Sequence, residues 1–141
     1  MPVRHGSAEW QGTLKDGKGA IRIGKDRKTR PYNYRTRFEN EQGSNPEELI
    51  GAAHAGCFSM ALAHLLSQAG HTPERINTTG KVALEEKDGG YVISSITLEC
   101  EASVSGVTLK DFQCFAESAK RDCPVSKLLA GTEILLEVKL V

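Results

Sequence analysis

Residues 49–66, LIGAAHAGCFSMALAHLL, run for 18 positions without one formally charged side chain, and few folds can house such a stretch. Asn45 suits an N-cap, Pro46 the first helical position, and Glu48 lies three residues past the cap. This is a capping-box-like start with Asn in place of Ser or Thr. Gly70 supplies the stop. The pattern predicts a helix over 46–69, about 36 Å long. Its apolar side chains lie on nearly every face, so both sides need cover. The stretch touches the threshold of a membrane span. Its many Gly and Ala residues, together with His54 and His64, favour instead a helix buried at the centre of a soluble protein.

Composition agrees with that choice. The 141 residues make one ordinary domain, 1–141, with 39% hydrophobic and 26% charged residues. Lys and Arg number 18, as do Asp and Glu, so no basic surplus points to nucleic acid or to an anionic membrane. The start, Met1 to Gly6, has no apolar signal-peptide core, and the four cysteines include no CxxC pair. A cytoplasmic protein with reduced thiols is the expectation.

Around the central helix the elements are segregated. Strands are predicted at 9–14 and 19–23 about an Asp16-Gly17 turn, and 24–31 reads as a polar loop rich in basic side chains. The alternation in 32–38 predicts another short strand. Two long strands, 75–86 and 91–104, flank Lys87-Asp88-Gly89-Gly90, with Ile96, Leu98, Cys100, Ala102 and Val104 on one face. A helix over 109–121, a short helix after Pro124 and a strand over 133–141 complete an α+β pattern of sheet against helix.

The chemistry on offer is mainly thiol chemistry. Cys123 precedes Pro124 and caps a helix start, where exposed amides favour a thiolate. Cys57 sits in mid-helix beside Gly56. Cys100 and Cys114 read as packing or incidental residues. His54 and Cys57 are one helical turn apart, but no third ligand joins them, so no metal site is expected. Phosphate-loop, GxSxG and dinucleotide signatures are absent.

Three separated motifs together carry a resemblance. Residues 45–62, NPEELIGAAHAGCFSMAL, with Thr36-Arg37-Phe38-Glu39 before them and Cys123-Pro124-Val125-Ser126 after, resemble the OsmC branch of the OsmC/Ohr family. The resemblance implies antiparallel sheets packed on a long buried central helix, in an intertwined homodimer. It implies a thiol-dependent peroxidase of organic hydroperoxides, acting in oxidative and osmotic stress defence. Cys57 would attack and Cys123 would resolve through a Cys57–Cys123 disulfide, with Arg37 and Glu47 as charged partners. A dithiol, either a lipoylated protein or dihydrolipoamide, would be the reductant, and no haem, flavin or metal would be required.

Two tensions stand beside this implication. Helix-dipole reasoning alone favours Cys123 as the more acidic thiol, whereas the family assigns attack to Cys57. Glu47 lies ten residues from Cys57, about 15 Å along one helix. For Arg37 to touch both, Glu47 would come from a second chain or act from a distance. Phe38, Leu49, Ile50, Phe58 and Met60 are candidates for an apolar entrance. The alternative is a non-catalytic dimeric module that holds an apolar small ligand between helices, with unreactive thiols.

Overall fold

The computed structural model describes all residues, Met1–Val141. Its contacts fall into two compact units, Met1–Leu49 and Ile50–Val141.

In the first unit, β1 (Gly6–Gln11), β2 (Lys18–Ile23) and β3 (Arg30–Tyr32) form an antiparallel sheet in that order. The strand expected over 32–38 is replaced by β3 and a short helix, α1 (Tyr34–Phe38). The end of the presumed polar loop therefore pairs with β2. The reason is local hydrogen bonding. Asn33 Oδ1 accepts from the Thr36 amide at 2.9 Å, and Thr36 Oγ1 accepts from the Asn33 amide at 2.9 Å, a reciprocal cap that outcompetes the alternation. Asn45 Nδ2 then donates to the Thr36 carbonyl at 2.9 Å while its Oδ1 accepts from the Glu48 amide at 2.8 Å. One side chain thus closes α1 and opens α2 (Pro46–Gln68).

In the second unit, β4 (Pro73–Lys87) and β5 (Gly90–Val104) form the expected hairpin. Asp88 and Gly89, at φ 53° and 79°, make its turn. The helices α3 (Leu109–Asp122) and α4 (Pro124–Leu128) follow, and β6 (Glu133–Leu140) joins β5 in parallel. The expectation of antiparallel sheets thus holds except at this last strand, which returns to the sheet through the two helices. Gly70, at φ 87°, ends α2, with the His71 amide donating to the Leu66 carbonyl at 2.9 Å.

The core joins Phe58, Leu62 and Leu66 of α2, Ile96, Leu98, Cys100 and Ala102 of β5, and Phe112, Ala116 and Ala119 of α3. Phe58 is therefore core and not an entrance. By length and hydropathy α2 would pass as a membrane span, but its Phe58 face is packed against protein. The single chain covers one side of α2 only: Ala52, Ala53 and Gly56 are exposed, and Met60 is 76% exposed.

Where α2 crosses β4 the backbones nearly touch. A methyl group on Gly51 would lie 2.5 Å from the Gly80 carbonyl oxygen, and one on Gly80 would lie 2.6 Å from that of Gly51. Backbone atoms cannot swing aside as side chains do. Gly80→Ala is expected to destabilise the fold by about 1–3 kcal/mol, read as a lower urea midpoint at unchanged slope. An unshifted midpoint would refute the close approach.

Candidate active site

The Cys-Pro step builds one corner of the site. Proline forces the preceding residue into extended backbone, and Cys123 adopts φ −64°, ψ 140°. It thereby closes α3, its amide donating to the Ala119 carbonyl at 3.0 Å, and caps α4, its Sγ accepting from the Ser126 amide at 3.3 Å. The Cys123 side chain is 1% exposed. Its sulfur also lies 3.0 Å from Ser126 Oγ.

From α2, His54 and Cys57 approach this corner from adjacent turns of one helix face. Cys57 is half-buried beside Cys123, and neither sulfur is in a disulfide. Burial pushes the Cys57 thiol above its ordinary value. A hydrogen bond with the Val125 backbone works against the rise, and Cys123 adds to it. His54 is fully buried, with Nε2 at 2.7 Å from Ser126 Oγ. Burial lowers its pKa and favours the neutral ring. Its Nδ1 is the one buried side-chain nitrogen or oxygen without a hydrogen-bond partner.

The other two candidate residues meet in the first unit. Arg37, at the end of α1, grips Glu47 in the first turn of α2. Nη2 lies 2.7 Å from Oε1, and Nε lies 3.2 Å from each carboxylate oxygen. The pair is thus made within one chain, and no second chain is needed to bring Glu47 to Arg37. The Arg37 guanidinium also stands 5.3 Å from the centre of the Phe38 ring. Beside it is a hollow of about 280 Å³ whose walls include Trp10, Leu14, Tyr32, Tyr34 and Phe38. Its aromatic rings pack in pairs, Trp10 with Tyr32 at 5.3 Å and Tyr34 with Phe38 at 4.9 Å between centroids.

Cys100 is core, its thiol raised by burial and opposed by a hydrogen bond to Thr78, and Cys114 is exposed on α3. No group of three or more His, Cys, Asp or Glu side chains could hold a metal ion. Sequence reasoning gave Ser126 no role and weighed His54 only as a metal ligand or core residue. The available signals were the spacing of His54 three residues before Cys57, and a serine three residues after a capping cysteine.

An α+β chain whose half-buried and buried thiols meet where a long helix faces a Cys-Pro corner has the architecture of a thiol redox protein. The comparisons agree: residues 39–139 match the family described as OsmC-like protein, and the chain belongs to that family. It is 46% identical over 138 residues to Peroxiredoxin OsmC of Escherichia coli K12, covering 97% of this chain and 96% of that one. It is 32% identical over 101 residues to the organic hydroperoxide resistance protein OhrA of Bacillus subtilis, covering 70% and 69%. In fold it is similar to OhrB of Bacillus subtilis, with TM-score 0.72 at 23% identity over 96% of this chain and 98% of that one. An OsmC-like protein of unknown function from Vibrio cholerae matches with TM-score 0.76 at 14% identity, covering 99% and 100%.

Proposed function

We infer that this peroxidase reduces organic hydroperoxides to alcohols, with Cys57 attacking and Cys123 resolving, in defence against oxidative and osmotic stress. The observation that carries the reading is the proximity of two unbridged thiols of unequal exposure. A peroxide arriving from solvent meets half-buried Cys57 before Cys123, which is 1% exposed. Accessibility therefore outweighs the cap position that favours Cys123.

Burial and the neighbouring Cys123 both oppose ionisation of Cys57, so attack requires a cation beside it. The family resemblance assigns that part to Arg37, oriented by Glu47. Arg37 steadies the thiolate, donates to the peroxide oxygens and stabilises the departing alkoxide. The thiolate takes one peroxide oxygen and the O–O bond breaks. Cys57 is left as a sulfenic acid, and the alkoxide takes a proton to become the alcohol. Cys123 then condenses with the sulfenic acid, giving the Cys57–Cys123 disulfide and water. An external dithiol, a lipoylated protein or dihydrolipoamide, restores the thiols, and no haem, flavin or metal takes part. The aromatic hollow beside Arg37 suits the alkyl part of the substrate. A second copy of the chain covers the exposed face of α2, giving a homodimer that works in the cytoplasm.

The test is consumption of cumene hydroperoxide under excess dihydrolipoamide, on material whose mass is fixed by light scattering. Turnover by a dimer is expected. Absent turnover would overturn the peroxidase, and full turnover by a monomer would overturn the dimer.

A further inference from the structure

We propose that His54, acting through Ser126, is a positioning residue for Cys123 in the disulfide-forming step, a role that rests on the peroxidase reading above. A buried nitrogen carrying a hydrogen with nothing to accept it is rarer and costlier than an unused acceptor lone pair. His54 Nδ1 is buried and unpartnered, so the lone pair belongs there and the hydrogen on Nε2. Nε2–H then donates to Ser126 Oγ at 2.7 Å. That leaves the Ser126 hydroxyl hydrogen free to point at Cys123 Sγ, 3.0 Å away, where the Ser126 amide also donates.

The orphan nitrogen thus fixes the direction of the whole chain, from imidazole to hydroxyl to sulfur. Two donors converge on Cys123 Sγ, and Cys57 is its neighbour. In the step they serve, the Cys123 thiol gives its proton to solvent. Its sulfur lone pair attacks the sulfur of the Cys57 sulfenic acid, the S–S bond forms and the S–O bond breaks. The departing hydroxide takes up a proton to give water. Cys123 is oxidised, the sulfenic sulfur is reduced, and atoms and charge balance. His54 remains neutral throughout, in keeping with the burial that disfavours its charged form. Each donor removed leaves negative charge on the attacking sulfur less supported.

The experiment mixes the reduced full chain with one equivalent of cumene hydroperoxide. It follows Cys57 sulfenic acid by dimedone trapping and the Cys57–Cys123 disulfide by mass. In Ser126→Ala and His54→Leu the rate of disulfide formation relative to sulfenic acid formation should fall about tenfold. Excess peroxide should then drive Cys57 to sulfinic acid. His54→Gln, whose amide nitrogen can donate from a similar position, should recover most of the ratio, a rescue that a packing role does not predict. An unchanged ratio in Ser126→Ala, or His54→Gln no better than His54→Leu, overturns the proposal. Should His54→Leu fail to fold, Ser126→Ala and His54→Gln decide it. Absence of Cys57 sulfenic acid from the unsubstituted protein overturns the peroxidase reading and this proposal with it, an outcome distinct from sulfenic acid that forms and resolves normally in the variants.

Discussion

Cys57→Ser is expected to lower hydroperoxide consumption about a thousandfold or more, because a hydroxyl in that half-buried place is a far poorer nucleophile than a thiolate. Cys123→Ser should behave differently. Cys57 still attacks, so one equivalent of alcohol appears, but no neighbouring thiol resolves the sulfenic acid. Without added reductant the reaction stops after that single turnover, and further peroxide carries Cys57 to sulfinic acid. Rapid-quench measurement of cumyl alcohol beside dimedone labelling separates the two variants. Sulfenic acid on Cys123 in a Cys57→Ser protein that still turns over would reverse the assignment. Both substitutions keep the side-chain volume nearly constant, so loss of folding should not confuse the result.

Much of the architecture was legible because its signals are local. The cap at Asn45, the Gly70 stop and the Asp88-Gly89 turn act within a few residues, and the alternation from Ile96 to Val104 shows directly which face is buried. Where the reading of 32–38 as a strand failed, another local bond prevailed, the exchange between Asn33 and Thr36. The parallel pairing of β6 was invisible for a different reason. An edge strand of alternating residues reads the same in either direction, and the preceding helices decide which way it returns. The site divides likewise. Cys57 and Cys123 are 66 positions apart, and no periodicity brings them together; the three motifs did so by resemblance. His54 and Ser126 are separated by 72 positions, and their bond exists only because the Cys-Pro corner turns Ser126 toward α2.

The Arg37–Glu47 pair offers the second large effect, because stability and catalysis can be made to move apart. The Glu47 side chain is 9% exposed and that of Arg37 35%. Removing one partner of a fully buried pair costs about 3–5 kcal/mol, since the remaining charge has neither water nor counterion. Arg37 keeps part of its surface in solvent, so the cost of Arg37→Met is discounted to about 1–3 kcal/mol. The double substitution Arg37→Met/Glu47→Leu removes the stranded carboxylate and should return most of that stability. Activity should not return with it. If the guanidinium supports the Cys57 thiolate and the leaving alkoxide, both the single and the double variant lose about 10²–10³-fold in kcat/KM. Glu47→Leu alone leaves a cation that can reach water but has lost its bidentate anchor. Its loss of activity should be smaller than that of Arg37→Met, as a misplaced charge still outperforms none. Thermal unfolding and cumene hydroperoxide kinetics on the same four proteins distinguish the roles. Recovery of both stability and turnover in the double variant would make the pair a clip between α1 and α2, and Cys57 would then owe its reactivity to another group.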